Sequence, residues 1–185
     1  AARLRAVFDG AARRLRDRGG ALDRDLLDAT LQAVSRGVSR VASRLDARAR
    51  RGCVRRCHGD LHLENVVRLD GRAVAFDALE FDEELATIDI AYDVAFLLMD
   101  LLHRGLKPHA SRALNGWLDG CDPEELDALG VLAPAIALRA LVRAMTAADR
   151  AGPGDAADAE AHLALARRIA AEPPAPRLVA VGGLS

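Results

Sequence analysis

One interruption in an otherwise helix-periodic chain does most to limit the fold. Between residues 57 and 77 the apolar spacing leaves the helical period, and two short apolar runs, 66–69 and 73–76, flank Asp70-Gly71. An Asp-Gly pair between such runs signals a tight hairpin, because its turn needs positive φ. On the N-terminal side, residues 3–18 read as an Arg-rich helix ending at Gly19-Gly20, and residues 23–51 as a longer helix. In the second, Leu26, Leu27, Leu31, Val34, Val38, Val41 and Leu45 recur at threes and fours and define one buried stripe.

After the interruption, residues 88–103 form a strongly apolar helix that ends before Gly105, and residues 109–119 form another. Asp122 is placed as an N-cap with Pro123 at the first helical position. Residues 134–150 are helical, 151–154 are a break, and 155–172 are a final helix. The expected fold is mainly α with one small β-hairpin.

Composition agrees with this reading. Hydrophobic residues make up 51% of the 185, carried mostly by Ala, Leu and Val, while aromatics are only 3%. Ala and Leu are strong helix formers, and the length suits one ordinary domain. A formal net charge of −1 gives no electrostatic reason to expect nucleic acid or an anionic membrane as a partner. No apolar run is expected to reach the roughly 20 residues of a membrane helix. Three cysteines are too few for a disulfide framework, so a reducing cytoplasm is the expected compartment.

The chemistry sits in the interruption. Cys57-His58-Gly59-Asp60-Leu61-His62-Leu63-Glu64-Asn65 fits the phosphotransferase pattern H-x-D-L-x-x-x-N. Phosphoryl transfer needs a carboxylate to orient the attacking hydroxyl and take its proton, and oxygen ligands to hold Mg²⁺ on the phosphates. Asp60 fills the first role, and Asn65 with Asp77, returned by the hairpin, fills the second. An ordinary Asp, with a pKa near 3.9, suits a transition state in which the proton leaves late. His58 is expected to support the loop. Asp89 and Asp93 stand one turn apart at the start of an apolar helix, where carboxylates can brace backbone N–H groups. His62 and Glu80 are candidates for contact with substrate or metal. Asp100 and Trp117 are expected to be structural and Lys107 a surface residue.

His58-Gly59-Asp60-Leu61-His62 with Asn65 resembles the HGDLHxxN loop of the aminoglycoside phosphotransferase group, and Asp77 is placed like that family's metal-binding Asp. Tyr92-Asp93-Val94-Ala95 resembles its downstream D-[LIV]-A helix. The run from 57 to 101 is similar to a bacterial subgroup in which a kinase-like domain precedes a P-loop ATPase domain. The resemblance implies that residues 1–172 are a kinase-like C-terminal lobe. Residues 173–177 would then be a Pro-rich linker, and 178–185 a strand and the start of a P-loop. It further implies ATP and Mg²⁺ as cofactors and a small-molecule hydroxyl as acceptor.

The departures from the family matter equally. No G-x-G-x-x-G precedes Asp60, and Lys107 is the only lysine, so nothing before the loop supplies the phosphate-covering turn or strand lysine of an N-terminal lobe. The expectation is a phosphotransferase parent whose N-terminal lobe, like the following P-loop domain, lies outside this chain, leaving the chain itself a poor ATP binder. The rival is a kinase-like binding or regulatory module without catalysis. A zinc site from Cys53, Cys57, His58 and His62 is a further alternative, weakened by the C-x-x-x-C spacing.

Overall fold

A computed structural model describes residues 1–18, 22–150 and 152–171. Three helices open the chain: α1 (Ala2–Asp17), α2 (Arg24–Arg40) and α3 (Ala42–Arg50). The helix expected over 23–51 is thus two, separated at Val41, where ψ swings to 5°. Both segments keep one stripe facing inward, since Leu27, Leu31, Val34, Val38, Val41 and Leu45 are all buried. A one-residue break leaves such a stripe in phase, so periodicity does not register it. Asp23 caps α2 by accepting the N–H of Leu26 at 3.0 Å.

The middle of the chain holds all the described strands. β1 (Val54–Arg56) pairs antiparallel with β4 (Thr87–Asp89), and β2 (Val66–Leu69) pairs antiparallel with β3 (Arg72–Ala75). The second pair is the expected hairpin, turning at Asp70 (φ 49°) and Gly71 (φ 79°). The β1–β4 pair was not expected. Its strands are three residues long, and β1 is exposed throughout, so neither shows apolar alternation. The short α4 (Glu83–Ala86) precedes β4, and α5 (Ile90–His103) follows it.

The C-terminal half comprises α6 (Lys107–Asp119), a 3₁₀ stretch (Pro123–Ala128), α7 (Leu129–Arg150) and α8 (Asp155–Ala170). Asp122 has extended backbone before Pro123, yet its side chain makes no cap hydrogen bond; the turn it introduces is 3₁₀ rather than α. The long helix starts at Leu129, with Pro134 inside it.

α7 is the central element and packs against α1, α2, α5 and α8. Its Ala135, Ala137, Ala140, Ala144 and Ala147 are buried, and such small side chains let neighbouring helices approach closely. Glu125–Arg150 is, by length and composition, apolar enough to cross a membrane. This corrects the sequence expectation: between 129 and 146 only Arg139 and Arg143 carry charge. Most of the stretch is nevertheless buried within the fold, as in a core helix. The Gly19-Gly20 stop, the linker at 173–177 and the strand and P-loop start at 178–185 lie outside the described residues.

Candidate functional site

Residues 57–65 leave β1 and run across the N-terminal end of α5. Asp93, in the first turn of α5, accepts two successive backbone hydrogen bonds: His58 N–H to Oδ2 and Gly59 N–H to Oδ1, both 3.0 Å. A buried carboxylate with two such donors fixes the peptide plane between them. About two helical turns further along α5, Asp100 accepts the N–H of Leu63 at 2.9 Å and pairs with Arg104 at 3.0 Å. Two acidic residues of one helix therefore hold both ends of the loop.

Gly59 is required at its position. Its φ is +83°, and a Cβ there would sit 2.7 Å from Leu79 Cδ1. Its carbonyl accepts from Arg139 Nη2 at 3.4 Å, and Arg139 Nε donates to the Tyr92 carbonyl at 3.1 Å. The Arg139 guanidinium lies over the rings of Tyr92 (3.9 Å) and Phe96 (4.6 Å), which makes burial of its charge tolerable. Sequence reasoning missed Arg139. One of two Arg residues, with Arg143, in an otherwise uncharged stretch of α7, it offers no stronger signal.

Asp60 projects from this braced loop with 41% of its side chain exposed to solvent. Oδ2 receives Asn65 Nδ2 at 3.2 Å and faces His62 Nε2 at 3.3 Å. Oδ1 has no hydrogen-bond partner among the described residues, which leaves one carboxylate oxygen to take a proton. His62 is buried beside Asp60, with its ring 5.2 Å from Phe96, rather than facing solvent. Asn65 is also buried, and its Nδ2 donates to the Asp60 carbonyl as well, at 3.0 Å. With its nitrogen so engaged, the amide oxygen is the atom left to meet a cation.

The hairpin is tied to the loop by backbone. Phe76 N–H donates to the Asn65 carbonyl (3.0 Å) and Leu79 N–H to the His58 carbonyl (2.9 Å). His58 Nε2 donates to the Phe76 carbonyl at 2.8 Å, and its Nδ1 is buried without a hydrogen-bond partner among the described residues. These bonds bring Asp77 back beside Asn65. Asp77 is exposed and has φ +60°, a conformation that costs most side chains energy but that Asp tolerates. Asn65 and Asp77 thus offer amide and carboxylate oxygens, a donor set suited to a hard cation such as Mg²⁺. Glu80 is exposed, and no hydrogen bond or ion pair ties it to the loop.

Asp89 acts one step behind the loop. It caps α5 through the N–H of Ala91 (2.9 Å) and makes a bidentate pair with the fully buried Arg48, both bonds 2.9 Å. Burial works against the Arg48 charge, but its bonds to Asp89 and Asp127 more than offset this and hold its proton more tightly than usual. Arg48 therefore anchors the α5 N-terminus to α3.

The cysteine-based zinc alternative does not form. Cys57 Sγ faces the carbonyls of Arg55 and Ile88, at 3.4 and 3.6 Å, and His58 Nε2 is committed to Phe76. Burial, with nearby Asp93 adding to it, pushes the Cys57 thiol up to about 11, so it is not a thiolate at neutral pH. Trp117 is half-buried against the core and Lys107 is exposed.

Comparison with known proteins adds two relatives, named as uncharacterized proteins: Mb2027c of Mycobacterium bovis and Rv2004c of Mycobacterium tuberculosis. Each is 36% identical over 128 residues, which cover 64% of this chain and 24% of the relative. The chain spans about a quarter of the length of the curated relatives it matches. No family model and no solved structure matches the sequence.

Proposed function

We propose that this domain is the helical, catalytic-loop lobe of a small-molecule phosphotransferase that moves the γ-phosphoryl group of ATP to a substrate hydroxyl. The observation that carries the reading is Asp60: half-exposed, oriented through one oxygen by Asn65 and His62, its other oxygen unengaged, on a loop held from behind by buried carboxylates. That is the arrangement required of a group that positions a hydroxyl and accepts its proton.

In this reading, Asp60 Oδ1 aligns the acceptor hydroxyl and takes its proton as the new P–O bond forms and the bond from the γ-phosphorus to the bridging oxygen breaks, releasing ADP. Asn65 and Asp77 would hold Mg²⁺, whose charge would neutralise the phosphate oxygens. His62 keeps the Asp60 carboxylate turned outward, and His58, Asp93 and Arg139 position the loop. The second wall of the nucleotide site would come from a β-rich lobe elsewhere in a longer parent chain, because this chain carries no glycine-rich loop and no lysine before Lys107. A cytoplasmic setting, where ATP is available, is part of the same proposal.

The roles separate in kinetics. In the full-length parent, Asp77→Asn should raise the Mg²⁺ concentration needed for half-maximal ATP turnover. Asp60→Asn should lower kcat at every Mg²⁺ concentration. An unchanged Mg²⁺ requirement in Asp77→Asn would remove Asp77 from the metal site.

A further inference from the structure

A second cluster lies where the last turn of α5 meets α8. His103 Nε2 is 3.3 Å from Asp158 Oδ1, and His162 Nδ1 is 3.2 Å from the same oxygen. Asp158 and His162 are four residues apart on α8, so one helix presents two of the three groups and the neighbouring helix the third. We propose that His103, Asp158 and His162 bind one zinc-class divalent ion, with its open coordination position facing the adjoining cleft.

Three observations support this. The first is spacing. Ligand atoms about 2.0–2.2 Å from a tetrahedral zinc ion lie roughly 3.3–3.5 Å from one another, close to the separations around Asp158 Oδ1. The second is the support of the carboxylate. Arg150 Nη2 donates to Asp158 Oδ2 at 3.2 Å, which orients the group and leaves Oδ1 for an ion. The third is access. The three groups border a cleft of about 510 Å³ that also receives Glu64, Arg104 and Arg143, so a fourth ligand, water or a small molecule, has room. The donor set decides the metal class. Two imidazole nitrogens favour zinc over Mg²⁺ or Ca²⁺.

Binding requires a local change. The two imidazoles are stacked, centroids 3.6 Å apart and planes within 13°, so their lone pairs run side by side. His162 Nδ1 also bonds the Asp158 carbonyl at 2.9 Å. An ion would draw both nitrogens inward by rotation about the Cβ–Cγ bonds, a broad torsion for His, and would replace that hydrogen bond. The proposal is independent of the phosphotransfer reading and stands or falls separately.

The test is titration of the metal-free full chain with Co²⁺, followed by displacement with Zn²⁺. One equivalent should bind with the visible absorption of a low-coordinate nitrogen–oxygen site. His103→Gln and Asp158→Asn, both at partly exposed positions, should each weaken binding by more than about 10-fold, with unchanged helical circular dichroism confirming that they fold. Absence of stoichiometric binding, retention of affinity in either folded variant, or the near-ultraviolet charge-transfer bands of thiolate ligation would each overturn the proposal.

Discussion

The loop at 57–65 and the β2–β3 hairpin that follows it contribute to one candidate site but are built in opposite ways. The loop is held by side chains from the core: Asp93 and Asp100 accept its N–H groups, and Arg139 donates to its carbonyl. The hairpin has no such support. Its β3 is exposed along its whole length, and Val67, Leu69, Val74 and Phe76 all face outward. Backbone bonds and the His58 ring are what connect it to the loop. The group proposed to handle the proton is thus fixed in advance, whereas the group proposed to complete the metal seat rides on a lightly held strand end. Fixed geometry matters most where a hydroxyl must be aligned; an ion can draw a mobile carboxylate into place.

Substitutions should expose this asymmetry. The largest effect is expected from Asp93→Ala, which strands two N–H groups of the loop. At about 1.5 kcal/mol or more for each hydrogen bond to a charged acceptor, the loss should reach roughly 3 kcal/mol. Thermal unfolding should shift down by about 6–12 °C. Gly59→Ala should come next, at about 2 kcal/mol, from the left-handed backbone and the clash with Leu79. Denaturant titration measures it, and a loss within 0.5 kcal/mol, about the scatter of surface changes, would show that the loop is not held as described.

On the hairpin, Asp77→Gly should be neutral or stabilising by up to about 1 kcal/mol, because glycine relieves the positive φ. A large destabilisation there would erase the distinction between the two regions. The smallest effect concerns Cys57. Its folded-state pKa lies above the unfolded value, so the stability it contributes is present at neutral pH and is lost as pH rises from about 9 towards about 11. Alkylation of Cys57 should be slow at neutral pH and accelerate across the same interval.

Much of this site was legible in the sequence because its parts are local. Asp60 and Asn65 share one loop, and Asp70-Gly71 announces the hairpin that returns Asp77. Asp93 was legible as a carboxylate in the first turn of an apolar helix. What escaped was non-local or atypical of its class. Arg139 sits about 80 residues from Gly59, in a helix whose apolar neighbours suggest nothing polar to bind. β1 is Val-Arg-Arg, three exposed residues with no alternation, and it is a strand only because β4 lies alongside it. His103 and Asp158 meet only through the packing of α5 on α8. Asp89, expected as a brace at the start of α5, accepts the Ala91 N–H there and also pairs with Arg48, a bidentate partner from α3 that no local pattern specifies.

The central claim is that Asp60 is poised to accept a hydroxyl proton. Its most direct test is Mg²⁺-dependent phosphoryl transfer from ATP by the full-length parent, compared with Asp60→Asn, a variant that keeps the shape and removes the base. The account predicts a loss of about 10²–10⁴-fold in kcat with the fold intact. Transfer at the parental rate in a folded Asp60→Asn protein would contradict it.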